Sequence, residues 1–163
     1  MHLRAFRSAD LETLYQIDQA CFPPGISYPR EELSGFINGR RSKTWVAEEN
    51  GETVGFLIAE RQAEKVAHIV TIDVVESWRR QRVGSLLMDA AEDWARQQEL
   101  LFVYLEVAEN NNAAQGFYEA RGYRKVDRVE SYYSDGTSAW VMLKWVRGKE
   151  AAGTAISHHG LPF

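Results

Sequence analysis

Val75-Glu76-Ser77-Trp78-Arg79-Arg80-Gln81-Arg82-Val83-Gly84-Ser85-Leu86-Leu87 joins two segments of different periodicity. Upstream, residues 66–75 carry β-branched residues on both faces, which predicts a central strand. Downstream, Val83, Leu86, Leu87, Ala90, Ala91, Trp94 and Ala95 recur at helical spacing, which predicts an amphipathic helix starting where the arginines end. A strand-to-helix joint aims the unbonded N–H groups of the first helical turn, and the positive end of the helix dipole, at one point. Such a joint suits an anion. Gly84 permits close approach of a pyrophosphate, and Arg79, Arg80 and Arg82 add cationic reach. A solvated basic turn, or an RNA-contacting patch, is the competing reading of the same residues.

Outward from this joint the pattern alternates strand and helix. His2 to Phe6 reads as a short strand, followed by a helix capped by Ser8 with Leu11, Leu14, Tyr15 and Ile17 on its apolar stripe. Pro23-Pro24-Gly25 ends it, and Pro29 opens a second helix that stops near Gly39. Residues 44–49 and 52–58 flank Asn50-Gly51, the pair that a type I′ hairpin turn favours. Beyond the central helix, residues 101–107 read as a strand, 112–121 as a helix stopped by Gly122, and 123–133 and 139–145 as two final strands. The sum is an α/β fold in one domain, a mixed central sheet of about seven strands with helices on both faces. Residues 1–147 form that domain, and 148–163, without periodicity, read as a flexible tail. His158-His159 in the tail lacks the Cys, Asp or Glu neighbours of a metal set, so no metal is expected.

Bulk properties exclude several functions. The 163 residues are 45% hydrophobic and 26% charged, which excludes fibrous and disordered classes. A net charge of −4 argues against nucleic-acid binding by bulk charge. No apolar run approaches the roughly 18 residues of a spanning helix, and the first residues lack a signal-peptide pattern, so no membrane partner and a cytoplasmic setting are expected. Cys21, the only cysteine, fits a reducing compartment. Its helix-end loop holds no nearby histidine in sequence, so it reads as a packing residue rather than a nucleophile.

Chemistry-bearing residues gather in 102–123. Strand alternation puts Phe102, Tyr104 and Glu106 on one face, giving Glu106 the apolar neighbours in which a carboxylate serves as a base. Asn111 precedes Tyr118 by two helical turns, so the two share a face. A phenol can give a proton to a leaving group. Each has a structural alternative: a cap or edge carboxylate for Glu106, a core tyrosine for Tyr118, a helix cap for Asn111.

Arg79-Arg80-Gln81-Arg82-Val83-Gly84 resembles the cofactor signature of the GCN5-related N-acetyltransferases, Gln/Arg-x-x-Gly-x-Gly/Ala, with Arg82 at the first glycine's place. Residues 105–123 resemble the motif Leu-Glu-Val-x-x-x-Asn-x-x-Ala-x-x-Leu-Tyr-x-x-x-Gly-Phe of the branch that acetylates protein N-termini, the ribosomal-protein-alanine N-acetyltransferase type. The resemblance covers about residues 2 to 145 in order. It implies acetyl-CoA as co-substrate, with Ile72, Asp73, Val74, Arg80, Gln81, Arg82, Val83, Gly84, Ser85 and Asn111 toward the cofactor. Val74 would supply an oxyanion-stabilising N–H, and Asp73, unusual in that segment, would face solvent or the substrate amine. The resemblance further implies Glu106 as base and Tyr118 as acid, and Phe22, Tyr28, Tyr132 and Tyr133 toward the acceptor. The implied acceptor is a protein or peptide N-terminus, approached by a monomer or weak homodimer. An α-amine with pKa near ~8 is far more often neutral at pH 7 than a lysine at ~10.4, which suits a carboxylate base. A lysine or small-amine acceptor, and a coenzyme-A-binding module without catalysis, are the alternatives.

Overall fold

The computed structural model describes residues 1–63 and 65–147. The expected tail, with His158-His159, lies outside the described residues. Seven strands form one mixed sheet: β1 (His2–Ala5), β2 (Ser42–Glu49), β3 (Glu52–Arg61), β4 (Val66–Val74), β5 (Phe102–Ala108), β6 (Arg124–Val129) and β7 (Ala139–Trp145). Their neighbour order is β1-β2-β3-β4-β5-β7-β6. Pairing of β4 with β5 is parallel, whereas β5–β7 and β6–β7 are antiparallel. The helices are α1 (Leu11–Cys21), α2 (Arg30–Ile37), α3 (Val83–Gln97) and α4 (Asn112–Ala120). The α/β class and the seven-stranded mixed sheet are those the sequence predicts.

The chain forms two compact units, 1–60 with 69–94, and 61–68 with the residues from 95 onward. In the first, the β2–β3 hairpin turns through Asn50 (φ 52°) and Gly51 (φ 80°), the two left-handed residues of the expected turn. Its core joins Leu14 and Ile17 of α1, Leu33 and Ile37 of α2, and Val46, Phe56, Ile58 and Val70 of the sheet. Burial of these apolar side chains is the main stabilising term, about 1.5–3 kcal/mol for each fully buried one. In the second unit Val66, Tyr104, Val141 and Leu143 form a smaller core.

Three local expectations are corrected. The cap of the first helix is not Ser8: residues 8–10 form a 3₁₀ turn, and Asp10 accepts the Arg7 N–H at 2.7 Å while Arg4 clamps its carboxylate. The buried face of α3 is rotated from the expected stripe. Val83, Leu87, Met88, Ala91, Glu92 and Ala95 are buried, whereas Leu86 is 36% exposed. The penultimate strand ends at Val129 rather than 133, because Ser131 turns left-handed (φ 48°) and gives its N–H to Ser138 Oγ.

Gly55 of β3 sets how closely the start of α3 approaches the sheet. A Cβ there would lie 2.7 Å from the Asp73 carbonyl oxygen and 3.1 Å from Val83 Cγ1. Gly55→Ala is expected to lower stability by about 1–3 kcal/mol, read as a shifted urea midpoint with unchanged slope.

Candidate active site

Glu106 lies on β5 in the second unit, its backbone paired with Val141 of β7. The parallel ladder between β4 and β5 pairs Val66 with Phe102, Ala67 with Val103 and His68 with Tyr104. His68 and Tyr104 are thus cross-strand neighbours, and their rings stack with centroids 4.6 Å apart. Glu106, two residues beyond Tyr104 on the same face, stands diagonally from His68. The His68 Nε2 lies 2.7 Å from Glu106 Oε2, with both side chains about nine-tenths buried.

The chain of contacts continues beyond His68. The Tyr104 hydroxyl donates to Gln62 Oε1, which leaves the Gln62 NH₂ as donor to His68 Nδ1 at 3.1 Å. A ring that accepts at Nδ1 carries a proton at Nε2, which can be donated to Glu106. Glu106 is therefore oriented by a hydrogen-bonded relay that includes Tyr104, one of the aromatic neighbours expected from sequence. His68 and Gln62 were missed for one reason. Their proximity depends on the β4–β5 register, which no local pattern reveals.

Glu106 opens onto a cleft of about 350 Å³, lined also by Asp127, Arg128, Val129, Glu130, Tyr132 and Val141. Arg128 is paired with Glu109 at 2.9 Å and Glu130 at 3.3 Å. Tyr132, one of the two expected acceptor residues here, is 41% exposed in that lining. Its neighbour Tyr133 packs edge-on against it at 4.8 Å. Burial, and then the charge of Glu106, push the Tyr133 phenol well above its usual range, so it stays protonated. Tyr118 is buried on α4, with its ring edge-on to Phe117 and Tyr123. Asn111 caps α4, its Oδ1 accepting the Ala114 N–H at 3.1 Å.

The remaining expected residues belong to the first unit. Ile72 and Val74 are half-buried on one face of β4, while Thr71 and Asp73 are buried on the other. Asp73 therefore does not face solvent: it is 1% exposed, accepts the Thr71 hydroxyl at 2.6 Å, and lies within hydrogen-bonding reach of Asp18. The Val74 carbonyl accepts from Arg79 Nε at 3.2 Å and Cys21 Sγ at 3.4 Å. Burial raises the Cys21 thiol above its usual range, and the charge of Asp73 adds to this, so it holds its proton and packs as expected. Phe22 and Tyr28 are half-buried in the α1–α2 loop.

Arg80 (φ 60°) and Arg82 (φ 68°) both take the left-handed conformation, and Arg79, Arg80, Gln81 and Arg82 are exposed. The helix bond nearest the start of α3 runs from Leu86 N–H to the Arg82 carbonyl at 3.0 Å. In helical geometry the N–H groups of Val83, Gly84 and Ser85 precede that bond and point out of the helix. No acidic residue stands in the first turn. Free amides, the dipole and three arginines fit a pyrophosphate at this place. Among the described residues no three His, Cys, Asp or Glu side chains form a metal set. No helix among them is long and apolar enough to cross a membrane.

Residues 11–123 match the acetyltransferase (GNAT) family. An N-alpha-acetyltransferase of Sulfurisphaera tokodaii is 27% identical over 152 residues, covering 86% of this chain and 90% of the relative. The crystal structure of Ard1 from Thermoplasma volcanium superposes with a TM-score of 0.82 at 30% identity, over 90% of this chain and 98% of that one. The ribosomal-protein-alanine N-acetyltransferase of Escherichia coli gives a TM-score of 0.80 at 22% identity, over 99% of both chains, which shows the shared fold.

The left-handed φ of Arg82 accounts for a glycine at this place in the resembled signature, since a Cβ is disfavoured there. Arg82→Gly is expected to raise stability by up to about 1 kcal/mol in urea unfolding. Arg82→Ala, which keeps the Cβ, is expected to give no such gain.

Proposed function

The chain belongs to the acetyltransferase (GNAT) family and is an acetyl-CoA-dependent N-acetyltransferase, and we propose that its acceptor is the N-terminal α-amino group of a protein or peptide. The observation that carries this reading is Glu106, oriented by His68 at 2.7 Å and facing an open cleft. The names of the Sulfurisphaera relative and of Ard1 support the same acceptor class. The cleft also suits a cation, with Glu106, Asp127 and Glu130 in its lining against one arginine that is already paired. An α-ammonium group arrives charged and must lose a proton before it can attack.

Acetyl-CoA supplies an activated acetyl thioester when bound. The backbone and side chains of residues 80–85, with Ile72 and Val74 along β4, are the groups that would hold it, and the Asn111 amide would contact its arm. Glu106 would accept the proton of the acceptor amine, directly or through water. His68 fixes one carboxylate oxygen, and the side chain lines the cleft. Tyr118 holds a phenolic proton, the kind a departing thiolate needs. Phe22, Tyr28, Tyr132 and Tyr133 would contact the acceptor. No acyl-enzyme step is required, in keeping with a protonated Cys21. The same free thiol fits a cytoplasmic setting.

Thiol release from acetyl-CoA, measured across short peptides with free or blocked N-termini, tests the acceptor. Release is expected only with free N-termini; release from blocked lysine peptides or small amines would overturn the reading. Glu106→Gln is expected to lower kcat by about 10²–10³-fold while leaving coenzyme A affinity unchanged. His68→Ala, which removes the orienting partner but keeps the carboxylate, is expected to cost a smaller factor in kcat.

A further inference from the structure

Two buried carboxyl groups of the first unit take no part in the chemistry above. Asp18, on the last turn of α1, and Asp73, on β4, are 0% and 1% exposed. Each has one oxygen fully engaged. Asp18 Oδ2 accepts the Tyr28 N–H at 2.7 Å and the Gln19 amide at 3.3 Å. Asp73 Oδ1 accepts the Thr71 hydroxyl at 2.6 Å. The other two oxygens, Asp18 Oδ1 and Asp73 Oδ2, are buried with no donor among the described residues, and the carboxyl groups lie within reach of each other.

Two ionised carboxylates in contact, cut off from water, repel strongly, and each bare oxygen loses its hydration. A single proton between them removes both penalties, converting one carboxylate into a donor and the other into its acceptor. Burial pushes both groups above the usual carboxylate range, and Asp73 furthest, because the charge of Asp18 adds to its burial. The other charged or titratable groups facing Asp73 are Cys21 at the end of α1 and Arg79 after β4. Cys21 stays neutral, and Arg79 favours the ionised form without outweighing burial.

What the pair holds is the end of the α1–α2 loop. The Tyr28 N–H is bound by Asp18 and its carbonyl by the Gln19 amide at 2.8 Å, so both backbone polar groups of Tyr28 hang on the last turns of α1. We propose that Asp18 and Asp73 share one proton and so act as positioning residues for the acceptor loop, tying the end of α1 to β4 and keeping Tyr28 and Phe22 in place. This rests on the acceptor role proposed for Phe22 and Tyr28.

The shared proton is bound more tightly in the fold than in the unfolded chain. Its stabilisation is complete below the ordinary carboxylate range and is lost as pH rises through the raised value of the pair. Asp18→Asn replaces the proton with a permanent donor: its amide oxygen can accept the Tyr28 N–H while its NH₂ donates to Asp73. Asp18→Ala leaves both the Tyr28 N–H and Asp73 without this partner.

The test follows the Tyr28 backbone amide by NMR between about pH 5 and about pH 9, alongside acceptor-peptide kinetics. In the wild type the Tyr28 amide is expected to titrate, and the ratio of its acceptor KM to that of Asp18→Asn to rise severalfold with the same midpoint while kcat changes little. The thermal midpoint of the wild type should fall relative to Asp18→Asn over the same range. Asp18→Ala should show a raised acceptor KM at every pH. A wild-type Tyr28 amide that does not move, or a KM ratio flat with pH, overturns the proposal. Should no peptide be acetylated at all, the acceptor assignment falls and with it the positioning role. The amide titration then still decides whether the proton is shared.

Discussion

The parallel ladder of three residue pairs between β4 and β5 is the constraint on which the candidate active site depends. It sets His68 against Tyr104 and, by the two-residue period of a strand, one diagonal step from Glu106. A slip of one residue would turn His68 to the opposite face and remove the only hydrogen-bond donor that orients the Glu106 carboxylate in this relay. The antiparallel pairing of β5 with β7 adds a second restraint, since seven consecutive pairs from Phe102–Trp145 to Ala108–Ala139 fix β5 from its other edge. Glu106 is thus held at its backbone by Val141 and at its carboxylate by His68. Preorganisation of this kind matters because a base that must first find its orientation loses part of its advantage in the transition state.

The arginine loop shows a different balance. Two left-handed arginines cost about 1–2 kcal/mol each in backbone strain by general expectation. An exposed loop that neither packs nor binds would gain nothing from that cost. Here the strained conformation turns the chain so that α3 starts at Val83, with its first amides pointing outward and arginine side chains exposed beside them. Arg82 trades the ease of a glycine for a permanent positive charge. Gly55 makes the complementary concession on the sheet, giving up a side chain so that Val83 and the Asp73 carbonyl can come close.

Elements with a strong local signature were legible in the sequence. Asn50-Gly51 specifies its own hairpin, the alternating order of strands and helices gives the α/β class, and Gly122 at φ 94° ends its helix as expected. The central helix was placed correctly, yet its buried face was not, since Glu92 lies inside and Leu86 outside. Hydrophobicity alone cannot foresee a buried glutamate. The cap at Asp10 was hidden for a related reason, because its stability comes from Arg4 on the preceding strand rather than from a short-range pattern. Glu106, Tyr132 and Tyr133 were named from motif residues and are found in or against one cleft. His68, Gln62 and the Asp18–Asp73 pair were invisible, because His68 meets Glu106, Gln62 meets Tyr104 and Asp18 meets Asp73 across tens of positions, through strand register or tertiary packing.

Both units bury carboxylates, and they solve the resulting problem in different ways. Glu106 has the His68 imidazole as a partner at 2.7 Å, itself held by Gln62 at 3.1 Å. Asp18 and Asp73 face each other with no such base between them, and only a proton of their own satisfies the two bare oxygens. The first arrangement stands in the lining of a cleft and is therefore within reach of chemistry. The second consumes every oxygen in holding chain segments together, so it has nothing left to offer a substrate. Burial alone does not separate a catalytic carboxylate from a structural one. The discriminating feature is a place in the lining of an open cleft, which Glu106 has and Asp73, the more deeply buried group at 1% exposure, does not.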